Sequence, residues 1–150
     1  MTDATVGEAA VAPQYDALSV GDELPPQSFP VGRANLVRYA GASLDFNEIH
    51  WNERFAVQVG LPNVIAHGMF TMAQAIRVVT DWVGDPGAVV EYGVRFTKPV
   101  VVPDDGVGAT VEVSAKIGAL LADGRVRVDL TALSDGQKVL GLATAVVRVP

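Results

Sequence analysis

The chain has no cysteine, only two histidines and few aromatic side chains, 7% in all. Without cysteine there is no disulfide, no thiol nucleophile and no thiolate ligand for a metal, and a reducing cytoplasm is the expected compartment. Long apolar runs are missing too. None approaches the ~20 residues of a membrane span, and the N-terminus lacks the basic-then-apolar order of an export signal, so no membrane association is expected. Positive charge is scarce: eleven Lys and Arg face seventeen Asp and Glu, for a net charge of -6. No basic stripe is available to neutralise phosphates, which argues against nucleic acid as a partner. Chemistry therefore falls to His, carboxylates, hydroxyls and backbone amides.

What is present fits one core: 150 residues, 49% of them hydrophobic,. Fifteen Gly and nine Pro suit a strand-rich fold with many turns,. Residues 1–14 are small, polar or Ala-rich without periodicity, so a mobile tail is expected there, followed by a single domain over 15–150. Pro25, Pro26 and Pro30 make any strand in Ser19 to Val31 a short edge strand. Leu36, Val37 and Ala40 predict a helix from Arg33 to Tyr39 that Gly41 ends. Asn52 caps a short helix through Val59. Met69, Met72, Ala73, Ile76, Val79 and Val83 mark one apolar face of a long helix over 68–83, stopped by Gly84-Asp85-Pro86-Gly87.

After residue 88 the pattern changes to period two. Val90, Tyr92, Val94 and Phe96 alternate with polar or small residues, as do Val111 to Ile117, Val126 to Ala132 and Val139 to Val149,. Turn signals at Asp123-Gly124 and Asp135-Gly136 join the runs into a meander of antiparallel hairpins. The expected class is α+β: an antiparallel sheet burying its apolar face on one long helix.

Both histidines, His50 and His67, lie in one eighteen-residue stretch that follows Asp45 and Asn47 closely. A carboxylate and an imidazole five residues apart in an irregular segment can meet on one small molecule and move its protons near neutral pH. Taken alone, the pair better suits a turn bond from Asp45 and a cap from His50. Two histidines and a carboxylate are also the donor set of a facial metal triad. Met69 and Met72 read as core or as walls of an apolar tunnel, Trp51 and Trp82 as packing aromatics near the site and the helix end. Arg95 and Lys98 read as a solvated strand face or as contacts for an acidic partner.

The segments Tyr39-Ala-Gly-Ala-Ser-Leu-Asp45-Phe-Asn47-Glu-Ile-His50 and Ile65-Ala-His67-Gly68-Met69 together resemble the signature of the MaoC-like (R)-specific hydratases and dehydratases. With Trp82-Val-Gly-Asp-Pro-Gly-Ala and Glu91-Tyr-Gly-Val-Arg-Phe-Thr, the resemblance runs over about 17–149. It leans toward the catalytic subunits of mycobacterial type II (R)-3-hydroxyacyl-carrier-protein dehydratases of mycolic acid synthesis. The resemblance implies a hot-dog fold, with Asp45 and His50 as catalytic dyad, Asn47 and His67 as loop support, and the Gly68 amide as donor to the thioester carbonyl. It implies no cofactor and no metal. The implied reaction is reversible dehydration of (3R)-hydroxyacyl thioesters, on acyl carrier protein or CoA, to trans-2-enoyl thioesters. Close alternatives are an (R)-specific enoyl-CoA hydratase of degradation or polyester supply and, from another class, a non-catalytic acyl-binding subunit. The implied partner is a second hot-dog subunit, as a heterodimer with a degenerate partner or as a homodimer. Two positions depart from the family pattern: Leu44 where Gly often stands, and Glu48 where Pro is usual.

Overall fold

The computed structural model describes residues 12–150, so most of the expected mobile tail lies outside the described residues. Residue 15 is already tied down: the Tyr15 amide donates to the Pro150 carbonyl at 2.7 Å and its hydroxyl to the Leu121 carbonyl at 2.6 Å.

The period-two runs become strands: β1 (Glu23–Val31), β2 (Val89–Phe96), β3 (Ala109–Leu120), β4 (Arg125–Ser134) and β5 (Gln137–Arg148). In β3, Val111, Val113, Ala115 and Ile117 are buried while Thr110, Glu112, Ser114 and Lys116 face solvent. The turns work as their residues dictate, since Asp123, Gly124, Asp135 and Gly136 all have positive φ, the twist that favours tight antiparallel hairpins,.

Two expectations about the sheet change. The five strands are antiparallel in the order β1-β3-β4-β5-β2, so β2 pairs with β5 rather than continuing a meander into β3. One edge of β3 is taken by β1, from Glu23↔Lys116 to Val31↔Ala109, the other by β4, and the chain crosses from β2 to β3 through 97–108. β1 is an edge strand as expected but nine residues long; Pro25 and Pro26 are absorbed by a register shift between Leu24 and Gln27, while Pro30 stays in register opposite Thr110,.

The helices are α1 (Arg33–Ser43), α2 (Glu53–Gln58) and α3 (Gly68–Val83). α1 runs through Gly41 and ends two residues later, where Leu44 adopts the left-handed conformation at φ 61°. The Asn52 side chain caps α2 by accepting from the Phe55 amide, as expected. α3 lies against the sheet, mainly on β1 and β3, and its buried face is Phe70, Thr71, Ala75, Val78, Val79 and Val83. The face is thus rotated from the expected one: Val79 and Val83 belong to it, whereas Met69 is 57% exposed, outside the core. Full burial of Val78 and Val79 contributes about 1.5–3 kcal/mol each,. Tyr92 ties β2 to the helix by donating to the Met72 carbonyl at 2.9 Å. A five-stranded antiparallel sheet curved around one long helix is the hot-dog arrangement.

Candidate active site

The site forms where α1, a single 3-10 turn (Glu48–His50) and the N-terminus of α3 meet. Each local structure follows from its side chains. The Asn47 side chain caps the 3-10 turn, its Oδ1 accepting from the Ile49 amide at 3.2 Å, and Asp45 Oδ1 accepts from the Asn47 amide at 3.2 Å. Asn47 thus supports the loop through the backbone. Glu48 stands first in the turn, and its carboxylate accepts from the Asn52 side chain at 2.6 Å, a tether that offsets the missing proline. Leu44 occupies a left-handed position, which explains why glycine suits it better,.

The segment 64–66 carries the next part. It is held on one side by Val102 N–H to the Val64 carbonyl and Ala66 N–H to the Val100 carbonyl, and on the other by Ile65 N–H to the Ile49 carbonyl. Arg33 braces it from α1, donating to the Val102 carbonyl at 2.6 Å and to Asn63 Oδ1 at 2.6 Å. The segment aims the Ile65 carbonyl at His50, whose Nδ1 lies 2.7 Å away. A carbonyl only accepts, so Nδ1 carries the hydrogen and Nε2 presents a lone pair. The Asp45 carboxylate is close to that nitrogen, with Nε2 and Oδ2 3.9 Å apart.

His50 is buried, and Asp45 is half exposed at the mouth. Burial pushes the imidazole below its ordinary value, and His67 alongside adds to that; the Ile65 carbonyl and the Asp45 carboxylate pull the other way,. The net direction favours neutral His50, ready to accept a proton at Nε2.

His67 stands at the N-cap position of α3, but its side chain makes no capping bond. Its Nε2 lies 3.1 Å from the Asp45 carbonyl, and its ring stacks on His50 with centroids 3.7 Å apart and planes 20° from parallel. Gly68 is the first residue of α3, where backbone N–H groups lack helical acceptors and the dipole favours negative charge,. The Phe96 ring lies 3.0–3.2 Å from where a Cβ on Gly68 would sit, so a side chain there would press on the ring, which would have to give by a few tenths of an ångström.

Asp45, His50 and His67 bring one donor atom each within 4.8 Å of one another. Their geometry does not suit an ion. The two rings stack, so their in-plane lone pairs run side by side instead of converging at the ~2 Å a metal requires,.

A cavity of about 370 Å³ opens beside His50, lined also by Gly68 and Thr71 and by the apolar Ile65, Phe96 and Leu140, with Asp45 outside its lining. A larger hollow of about 580 Å³ between the 99–103 segment and β3 holds no histidine, so the chemistry belongs to the smaller one. Lys98 lines the dyad cavity, while Arg95 is exposed beyond its lining; Trp51 is half exposed and donates from its indole to the Phe46 carbonyl, and Trp82 packs on the core. Sequence reasoning missed the Ile65 carbonyl, the Arg33 brace and Thr71. A backbone acceptor leaves no mark in side-chain patterns, and Arg33 reads as an ordinary helix-start residue.

The comparisons with known proteins agree with the fold. The family model described as MaoC like domain matches residues 17–133. The 3-hydroxyacyl-thioester dehydratase X of Mycobacterium tuberculosis is 35% identical over 145 residues, covering 90% of this chain and 46% of that protein. The (R)-specific enoyl-CoA hydratase of Rhodospirillum rubrum is 27% identical over 121 residues, covering 80% of this chain and 81% of its own length. A solved structure described as a MaoC-like dehydratase superimposes with a TM-score of 0.88 at 44% identity, over 93% of this chain and 43% of that one. The chain spans about half the length of the first and third of these relatives.

Proposed function

The chain belongs to the MaoC-like domain family, and on that premise we propose that it reversibly dehydrates (3R)-hydroxyacyl thioesters to trans-2-enoyl thioesters. The observation that carries this reading is the pair His50 Nε2 and Asp45 Oδ2, 3.9 Å apart, with Nδ1 of His50 held by the Ile65 carbonyl and His50 itself lining a largely apolar cavity. In the dehydration direction, Nε2 takes the proton from C2 and the C2–H electron pair becomes the double bond as the C3–O bond breaks. The hydroxyl, held by the Asp45 carboxylate, leaves as water with the proton that Nε2 passes on, which returns both groups to their starting state. Charge that develops on the thioester oxygen meets the Gly68 amide at the N-terminus of α3. Asn47 and His67 hold the loop that carries the dyad. Side chains, one amide and water suffice, so exhaustive chelation should leave turnover unchanged.

The same residues run the reaction as hydration on CoA, which is the second reading and is favoured by the hydratase relative. The carrier-protein setting of fatty acid or mycolic acid elongation rests on the sequence resemblance, and a non-catalytic acyl-binding role leaves the dyad without purpose. We place the protein in the cytoplasm on its lack of cysteine; no described helix is long and apolar enough to cross a membrane.

The proposed partner is a second hot-dog unit, either another copy or a degenerate chain. Phe46, Trp51, Met69 and Phe96 stay exposed around the dyad, and β1 and β2 leave open sheet edges, both of which a second unit would cover,. Light scattering of the chain alone, and with a candidate partner, distinguishes the two assemblies. The activity is tested by incubating the purified chain with (3R)-hydroxyacyl and trans-2-enoyl thioesters of graded length on CoA and on carrier protein; conversion that disappears in Asp45→Asn supports the reading, and conversion that survives it does not.

A further inference from the structure

His67 is the most enclosed polar side chain near the site, 2% exposed, and it neither caps its helix nor reaches the substrate cavity lining. Its position makes sense through what it touches. Nε2 lies 3.1 Å from the Asp45 carbonyl, and since that oxygen only accepts, the ring carries its hydrogen on Nε2 and donates it there,. One face stacks on His50 at 3.7 Å, and the Tyr39 ring lies tilted at 4.8 Å. The remaining nitrogen, Nδ1, is buried with no partner among the described residues. Leaving a buried acceptor unpaired costs about 1–3 kcal/mol, and an apolar residue of similar size would avoid that cost. A residue kept only to fill space has no reason to be histidine.

We propose that His67 is the positioning residue of the dyad: its Nε2–H holds the Asp45 backbone while its ring braces the His50 imidazole, so that one buried side chain sets the separation of the two proton-transfer groups. The proposal rests on the dyad reading above and deepens it. The link matters because Asp45 hangs on a strained, exposed loop. Leu44 before it is left-handed, and beyond the Asp45 side-chain bond to the Asn47 amide and a 3.3 Å bond from its own amide to Ser43 Oγ, the His67 donor is what anchors its backbone. A misplacement of about 1 Å between such groups is worth ~10²-fold in rate.

The proposal has a readout that does not need turnover. The chain has two histidines, so 15N-histidine labelling yields only two sets of ring signals, and His50 can be followed through a pH titration. The titratable or charged groups facing His50 are Asp45 on its own loop, His67 at the start of α3 and Lys98 across the cavity. Two variants separate the contributions. His67→Gln keeps an N–H able to reach the Asp45 carbonyl but removes the second imidazole, whereas His67→Leu keeps the volume and removes the donor. In His67→Gln, the His50 midpoint rises, because His67 is one of the groups that lower it, and kcat falls by less than in His67→Leu, because the donor to the Asp45 carbonyl is kept while the ring that braces His50 is lost. In folded His67→Leu, kcat falls at least ~10-fold with KM little changed, since the acyl cavity is intact.

An unchanged His50 titration in His67→Gln overturns the proposal, whether or not the Leu variant folds. Parent-like kcat in a folded His67→Leu also overturns it and assigns His67 a filling role only. If the parent itself converts no thioester while the titration shifts as described, the dehydratase reading fails and the coupling between the two histidines stands.

Discussion

Asp45 Oδ2 and His50 Nε2 stand 3.9 Å apart, beyond hydrogen-bond reach and close enough to bracket a single oxygen atom between them,. A water, or the 3-hydroxyl of a substrate, placed there touches both groups. Asp45→Asn and His50→Gln should therefore each lower kcat/KM by at least ~10²-fold while circular dichroism and Tm stay near those of the parent, because placed proton transfer typically contributes 10²- to 10⁴-fold. A folded Asp45→Asn variant with ordinary turnover removes Asp45 from the chemistry.

The burial of His50 makes a prediction about pH. The base must be neutral, and burial moves its titration below the ordinary 6.5, so the acid limb of kcat/KM should have its midpoint below 6.5. The same shift acts on stability. The unfolded chain binds the proton more readily than the folded one, so this contribution is fully present above pH 6.5 and is lost as pH falls through the folded-state value. Denaturant midpoints measured from pH 7.5 down to 5 should fall accordingly in the parent, and by less in His50→Gln.

Leu44 has φ 61° and is exposed, so its side chain gains little from burial while its backbone is strained. Left-handed geometry costs a non-glycine residue about 1–2 kcal/mol, and glycine's extra freedom in the unfolded chain takes back about 0.5–1. Leu44→Gly should raise stability by roughly 0.5–1 kcal/mol, or Tm by ~1–4 °C, with kcat/KM close to the parent. A lower Tm would show that the leucine side chain makes contacts that outweigh the strain.

Gly108 fails in the other direction. It has φ 77°, and a Cβ there would overlap the Val31 carbonyl oxygen where β1 passes the start of β3. Gly108→Ala should cost at least ~2 kcal/mol in chemical denaturation; the residue is outside the lining of the cavity beside His50, so kcat of the folded fraction should be preserved.

Much of this architecture was legible before any coordinates. The ends of α3 follow from Gly68 and the Gly84-Asp85-Pro86-Gly87 breakers, the cap of α2 from Asn52, and two hairpins from Asp-Gly pairs, because each is a local choice made by adjacent residues. The pairing of β2 with β5 was not, since a strand followed by a long connection carries no local record of its neighbour. The buried face of α3 was misassigned for a related reason: with apolar residues at Met69, Phe70, Met72 and Ala73, the helix offers two plausible apolar faces, and the sheet chose the one with Phe70 and Ala75. The residues proposed for the site, Asp45, Asn47, His50, His67 and Gly68, were visible as a cluster and do meet in space. Their orientation was not visible, because it depends on the Ile65 and Asp45 carbonyls, which every residue possesses.

The central claim, that Asp45 and His50 together dehydrate a (3R)-hydroxyacyl thioester, is tested most directly by enantiomer choice. The purified chain is incubated with (3R)- and (3S)-hydroxyacyl-CoA in parallel, and trans-2-enoyl product is measured for the parent and for Asp45→Asn. The account predicts enoyl product from the (3R) substrate alone, reduced at least ~10²-fold in the variant; product from the (3S) substrate, or equal product from parent and variant, would contradict it.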